Sequence, residues 1–510
     1  MISFNKDPLS IEDIVAIANL EQSVELSDDE EFTRAIARGS EFLDRLLAED
    51  GVIYGVTTGY GDSCTVSIPS QLVEELPKHL YTFHGCGLGE ILSPQLGRAV
   101  LAARLASLCQ GFSGVSIALL KLLATLLEKN IIPLIPEEGS VGASGDLTPL
   151  SYVAAVLCGE RKVYFENEIR NTADVYKQLN IQPLVLRPKE GLAIMNGTAV
   201  MTGIACMAFH RAHYLSQLAT RITAMATLVT SGNPSHFNEI LFSVKPHPGQ
   251  QKIAQWLRGD LKAGEATRNS QRLQDRYSLR CAPHVIGVMA DALPWLRQVI
   301  ENELNSANDN PIIDGAGEHV LHGGHFYGGH IALAMDTLKN TVANIADLLD
   351  RQMALMMDTK YNHGLPANLS GAEGERKAIN HGFKAVQIGT SAWAAEALKM
   401  TMPASVFSRS TECHNQDKVS MGTIAARDCM RILQLTEQVA AAVLIASCQG
   451  VELRIRQGDI KESDLSNNIL NTIKEVRVES DFLNEDRALE DELRRLIENI
   501  QGQALSLYEG

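Results

Sequence analysis

Residues 139–150 read GSVGASGDLTPL, and the three small residues Ala143, Ser144 and Gly145 at their centre carry an uncommon chemical possibility. Glycine reaches backbone geometries closed to other residues, so the amide nitrogen of Gly145 can approach the carbonyl carbon of Ala143. Ala143 adds little bulk at the carbonyl under attack. Ser144 carries a β-hydroxyl that can leave as water once a ring has closed. The product is a five-membered ring with an exocyclic methylidene, an electrophile that no ordinary side chain supplies. Reactions that need such an electron sink otherwise borrow a cofactor. The same residues also read as a turn before a helix, with Asp146 as N-cap of the apolar run Leu147 to Leu157. Both readings hold together, because a ring at a helix N-terminus feels the positive end of the macrodipole.

Other polar residues stand in patterns with a bland reading beside a chemical one. Val52-Ile53-Tyr54-Gly55-Val56-Thr57-Thr58-Gly59-Tyr60-Gly61 has the Gly/Thr-rich composition of a mobile loop, where lids and catalytic residues concentrate. By itself Tyr54 reads as a packed aromatic at a strand end. Gln274 to Arg280 (QDRYSLR) reads as a polar loop, yet the planar fork of an arginine is suited to a carboxylate. Asn196 and Asn310 read as turn asparagines beside Gly197 and Pro311. His322, His325 and His330 suggest a metal, but their spacings of three and five, with glycine pairs between, suit a loop better, and no metal is expected. Gly85 to Gly89 lacks the context and spacing of a nucleotide loop. Phe83-His84 sets an aromatic ring beside a polar one.

The string around Ala143-Ser144-Gly145, continued by Pro149-Leu150-Ser151-Tyr152, resembles the signature of the histidine and aromatic amino-acid ammonia-lyases and aminomutases. In that family Ala-Ser-Gly becomes 4-methylideneimidazole-5-one (MIO) without any metal. The resemblance places the catalytic base on Tyr54. A phenol has an ordinary pKa of about 10 and burial raises it further, so a base at this position requires nearby positive charge or a helix N-terminus. It also implies that Arg280 holds the substrate carboxylate, with Tyr277 and Gln274 lining the site. Asn196 and Asn310 would polarise the prosthetic carbonyl and hold the carboxylate. Residues 411–421 (TECHNQDKVSM) are similar to the family segment E-x-x-N-Q-D-x-x-S, which puts Glu412 and Gln416 against the ring and the amine. This version is more like phenylalanine and tyrosine lyases than histidine lyases, which usually carry an extra acidic residue after Asn-Gln. Phe326 would pack beside the ring, in a string where His325 replaces the usual Asn. Phe83-His84 stands where the family selects substrate: Phe-Leu is common in phenylalanine lyases, His-Leu in tyrosine lyases and Ser-His in histidine lyases. The mixture here favours tyrosine, deaminated to p-coumarate, with phenylalanine or histidine deamination, or a 2,3-aminomutase on the same site, as alternatives.

The elements that must position these residues are helical. Apolar residues at helical spacing fill residues 97–128, interrupted at Gly111 to Gly114, and residues 191–230, 333–358, 386–401 and 421–450. Strand-like pieces stand around 52–56, 161–166 and 310–321. Such long apolar helices must bury several faces against each other. A mainly α fold follows, a long-helix bundle with a smaller N-terminal lobe containing short strands, and the resemblance implies the same architecture. The expected division is 1–200 for the N-terminal lobe, 201–450 for the central bundle and 451–510 for a charged C-terminal helical segment forming an exposed lid. The 510 residues, 45% hydrophobic and 21% charged, are ordinary for a globular protein. A net charge of −16 argues against nucleic acid or an anionic membrane as partner. No apolar run reads as long enough to span a bilayer, and the first residues are polar and acidic rather than signal-like. Nine cysteines without paired spacing suggest reduced thiols and a cytoplasmic location. Helices apolar on several faces suggest self-association, and the resemblance implies a homotetramer with active sites shared among subunits.

Overall fold

The computed structural model describes residues 1–49, 51–265, 268–269 and 273–508. It is mainly helical. Its contacts divide the chain into two units, each assembled from three stretches: Met1–His210, Leu296–Asp336 and Pro403–Arg427 in the first, Arg211–Trp295, Thr337–Met402 and Asp428–Gly510 in the second. The sequence suggested consecutive blocks. Four of the five crossings instead fall inside the long helices Ala199–Val229, Ala282–Leu304, Gly329–Met357 and Gly422–Gln457, and the fifth falls between Met402 and Pro403.

The first unit holds every strand among the described residues. Ile2–Phe4 runs parallel to Val24–Leu26, and Leu88–Ile91 pairs antiparallel with Pro136–Glu138. Lys162–Phe165 lies between Ile132–Pro133 and Glu168–Asn171, and Ile312–Asp314 forms a hairpin with His319–Leu321. Two helices fill the expected stretch 97–128. Ser93 caps Pro94–Cys109 and Ser116 caps Ile117–Glu128, each hydroxyl accepting from a backbone N–H of the first turn. The chain turns between them at Gly111 and Gly114, whose φ values of +82° and +65° favour glycine. Pro94–Cys109 is buried from Gly97 onward and carries two charged residues inside, Arg98 and Arg104.

Three expectations are corrected. Residues 52–56 form a turn, not a strand: Ile53 O accepts from both Val56 N and Thr57 N, and Gly55 sits at φ +66°. The apolar run 191–230 breaks into Glu190–Met195 and Ala199–Val229, with Asn196 extended and Gly197 at φ +149°. Gly422–Gln457 is long and apolar enough to cross a membrane, contrary to the sequence reading, but 78% of its apolar window is buried inside the protein, as in a core helix.

In the second unit, helices Asn467–Glu479 and Glu490–Gln501 are amphipathic rather than an exposed lid. Ile469, Ile473, Val476, Leu496 and Ile500 face inward. Further along, the Tyr508 ring stacks on Trp256 at 4.3 Å, and its hydroxyl donates to Asp260. None of the nine cysteines is joined in a disulfide.

Candidate active site

The break at Asn196-Gly197 and the tripeptide of Ala143, Ser144 and Gly145 form one cradle in the first unit. The Ser144 carbonyl accepts from Gly197 N at 3.2 Å and from Asn196 Nδ2 at 3.1 Å. Asp146 N donates back to Gly197 O at 2.8 Å, so Gly145 is pinned on both sides. Gly145 has φ +70°, and a Cβ there would lie 2.0 Å from Gly197 O, so only glycine fits. Upstream, Met421 N donates to Val141 O at 3.0 Å and Ser420 Oγ to Gly142 O at 3.1 Å. The Oδ1 of Asn196 is buried and has no hydrogen-bond partner among the described residues.

Asp146 does not cap its own helix, as the sequence suggested. Its side chain makes no capping bond to Leu147–Leu157. It accepts instead from Met201 N at 3.0 Å in the first turn of Ala199–Val229, from Ser140 Oγ at 3.1 Å and from the Thr423 hydroxyl. Burial pushes its carboxyl up to about 6 against these hydrogen bonds. Behind Gly197 stands the fully buried Arg104. It donates to Asn308 Oδ1 at 2.9 Å and to Ala193 O at 2.6 Å, at the end of Glu190–Met195. A Cβ at Gly197 would lie 2.0 Å from an Arg104 nitrogen and 2.5 Å from Asn308 Oδ1.

Residues 411–416 join this cradle to the tyrosine loop. Gln416 Nε2 donates to Ser144 Oγ at 3.2 Å, its amide oriented by the Thr411 hydroxyl at 2.9 Å. Glu412 reaches the loop, accepting from Asp62 N at 3.2 Å. Glu412, Cys413 and His414 are consecutive left-handed residues, a tight reversal that aims Glu412 and Gln416 at their separate partners. Tyr54 is half-buried, and its phenolic oxygen accepts from Gly61 N at 2.7 Å. Burial raises its pKa, the Gly61 N–H opposes this, and the charges of Glu412 and Cys64 add to the rise. The positive surroundings expected of Tyr54 are therefore not supplied by these neighbours. The His322 ring stands edge-on to the Tyr54 ring with centroids 6.3 Å apart.

Phe83 closes the helix Leu76–Phe83 and is 59% exposed, whereas His84 is half-buried at its C-cap, the two rings 4.6 Å apart. The His84 Nδ1 lies 3.4 Å from Thr148 Oγ1, and burial pushes the imidazole down to about 4, so the ring is neutral near pH 7. Asn310 spends its carbonyl on Gly323 N at 2.9 Å, which ties it to the histidine-rich stretch. Phe326 is half-buried, and no ring contact joins it to the other candidates among the described residues. Also among the described residues, no three His, Cys, Asp or Glu side chains gather as metal ligands.

Gln274, Tyr277 and Arg280 form a cluster in the second unit. Arg280 donates through Nε to Asp275 O at 2.9 Å and through Nη2 to Gln274 Oε1 at 3.1 Å, and its guanidinium lies 4.6 Å from the Tyr277 ring centre. Tyr277 is 72% exposed. Gln352 Nε2 anchors this single helical turn through Ser278 O at 2.9 Å. Sequence reading missed Arg104, Thr411 and Thr423. Only Arg104 carries a signal, a charge within a continuous apolar helical run.

The chain resembles known proteins in both sequence and fold. A model of the aromatic amino acid lyase family matches residues 9–477. The chain is 36% identical over 449 residues to a histidine ammonia-lyase of Gloeobacter violaceus, covering 88% of this chain and 86% of that protein. It is 35% identical over 459 residues to the histidine ammonia-lyase of Bos taurus, covering 88% and 69%. Its fold matches a tyrosine aminomutase from Streptomyces globisporus with a TM-score of 0.91 at 31% identity, covering 99% and 97% of the two chains. The matches define an enzyme of the carbon–nitrogen lyase class, with the fold of the histidine and phenylalanine ammonia-lyases. The chain belongs to the aromatic amino acid lyase family. The cradle fits the family's MIO group: glycine alone is tolerated at position 145, two donors converge on the Ser144 carbonyl, and the Gln416 side chain meets the Ser144 hydroxyl.

Proposed function

We propose that this enzyme deaminates an aromatic L-amino acid, tyrosine in first place, to the trans-arylacrylate and ammonia. MIO, formed from Ala143, Ser144 and Gly145, supplies the electrophile that turns the amino group into a leaving group. The chain's own residues divide the remaining work. Asn196 Nδ2 and Gly197 N draw electron density from the carbonyl of residue 144. Gln416 holds the position of the leaving hydroxyl during maturation and faces the amine afterwards. Tyr54 takes the β-proton, with Gly61 N–H steadying the phenolate oxygen. Arg280 pairs with the substrate carboxylate, and its bonds to Gln274 Oε1 and Asp275 O fix the plane of its fork. Tyr277, Asn310, Phe326 and Glu412 complete the lining.

The observation that carries the substrate reading is His84, a neutral, half-buried imidazole beside Phe83. A neutral imidazole offers either a donor or an acceptor to a para-hydroxyl. A site built to bond a hydroxyl rejects the analogue that lacks it, because its own polar group is left unpaired. Histidine is the second reading, supported by identity to histidine ammonia-lyases. The direct test is turnover of tyrosine, phenylalanine and histidine, followed by arylacrylate absorbance and chromatography of the products. Tyrosine is expected to give the highest kcat/KM and p-coumarate as main product. Preference for histidine would overturn the substrate reading, and a β-amino acid as main product would make the enzyme an aminomutase.

A further inference from the structure

The helix Leu76–Phe83 delivers Phe83 and His84, and what fixes its end is not obvious from either residue. Among the described residues the His84 ring has one side-chain hydrogen-bond contact, to Thr148 Oγ1 at 3.4 Å, the weak end of hydrogen-bond range, beside its ring contact with Phe83. The aim of the imidazole is therefore set by its backbone. A helix end leaves its last carbonyls without intrahelical partners. Here Leu80 O takes His84 N at 3.3 Å and Thr82 O takes Gly85 N at 3.1 Å. Tyr81 O is taken by a distant side chain, Arg161, whose Nη2 donates to it at 2.6 Å. The other guanidinium nitrogen, Nη1, donates to Ser151 Oγ at 3.2 Å. That hydroxyl lies 3.1 Å from His84 O and 2.7 Å from Thr148 O, so its single proton is shared between the His84 turn and its own helix while its oxygen accepts from Arg161.

Arg161 is itself held firmly. Its carbonyl accepts from Thr172 N at 3.0 Å and from Thr172 Oγ1 at 2.9 Å, with Thr172 fully buried. Its guanidinium lies 4.2 Å over the ring of Tyr152, in the helix Leu147–Leu157 that begins directly after the tripeptide. A cation at a helix C-terminus is also favoured by the macrodipole. Gly85 leaves room for this arrangement: a Cβ there would lie 2.3 Å from Arg161 Nη2. Two independent features, a forked side chain and a glycine that clears its path, thus converge on the turn that follows Phe83.

We propose that Arg161 is a positioning residue for substrate choice, its guanidinium locking the Phe83–His84 turn to the helix that follows Ala143, Ser144 and Gly145. It acts through Tyr81 O and Ser151 Oγ and touches neither ring. The proposal rests on the reading that His84 senses the ring substituent of the substrate.

The test uses the full-length chain with Arg161→Met, Arg161→Lys, His84→Leu and the double variant Arg161→Met/His84→Leu. The readout is the ratio of kcat/KM for tyrosine to that for phenylalanine, in which the fraction of active protein cancels. Arg161→Met keeps the apolar stem and loses the donors. It is expected to lower the ratio at least about tenfold, through a raised KM for tyrosine. Arg161→Lys, which keeps one donor, restores part of the ratio, and the double variant falls no further than His84→Leu alone. An unchanged ratio in Arg161→Met, with a shifted one in His84→Leu, overturns the role of Arg161 and leaves the His84 reading standing. Unchanged ratios in both overturn the two together. Should Arg161→Met not fold, Gly85→Ala decides: its Cβ displaces Nη2 from Tyr81 O, so the ratio must fall, and an unchanged ratio overturns the proposal.

Discussion

Tyr54 is surrounded by groups that hold its proton on. Burial raises its pKa and Glu412 and Cys64 push the same way, while the Gly61 N–H pulls down. A phenol accepts the β-proton only once it has lost its own. Because its pKa lies above the ordinary value, the ionised fraction grows with pH throughout the range below it. The kcat/KM of the enzyme is therefore expected to climb steadily from pH 7 to 9 without a plateau. Tyr54→Phe is expected to lower kcat at least about 100-fold and abolish the climb. A plateau below pH 8, or near-normal turnover in Tyr54→Phe, would place the base elsewhere. The tripeptide was legible in sequence because its chemistry is local to three neighbouring residues. The surroundings of Tyr54 were not, because Glu412 arrives from a segment 350 residues beyond Asp62. Asp146 was misread for a related reason: a carboxylate caps the N–H groups nearest in space, and those belong to another helix.

At the scale of elements, the break between Glu190–Met195 and Ala199–Val229 matters most. Apolar periodicity on both sides of Asn196-Gly197 predicts one helix over residues 191–230, although the asparagine beside a glycine also reads as a turn. The structure opens the chain at Asn196-Gly197, where Arg104, Asn308 and Asn196 together turn the Gly197 amide toward Ser144. None of those long-range bonds leaves a mark on local periodicity. Gly197→Ala places a Cβ against Arg104 and Asn308, and the strained φ of +149° adds to the conflict. This variant is expected to keep its helical circular dichroism and lose activity at least about 100-fold, since a displacement of about 1 Å at a reacting centre has that effect. Full activity would mean that the cradle tolerates a side chain at position 197. The helical stretch 97–128 with its glycine break and the strand-like stretch 310–321 were legible because helical spacing, glycines and β-like composition are local signals.

On the scale of the whole molecule, the second unit presents apolar side chains to solvent. Val288 and Trp295, one heptad apart on Ala282–Leu304, are 54% and 42% exposed. On Lys384–Lys399, Ile388 is 63% exposed and Leu398 39%. These exposed apolar side chains are available to an interface between subunits, and a homotetramer is the assembly we propose. Light scattering of the wild type is expected to give four times the chain mass, with Ile388→Asp reducing it. An active monomer would contradict this. The central claim is that the enzyme builds its electrophile from Ala143, Ser144 and Gly145, and intact-mass spectrometry of catalytically active protein tests it most directly. The account predicts a mass below the sequence mass by two waters, with the deficit absent or reduced in an inactive, folded Ser144→Ala. Active protein carrying the full, unmodified sequence mass would contradict it.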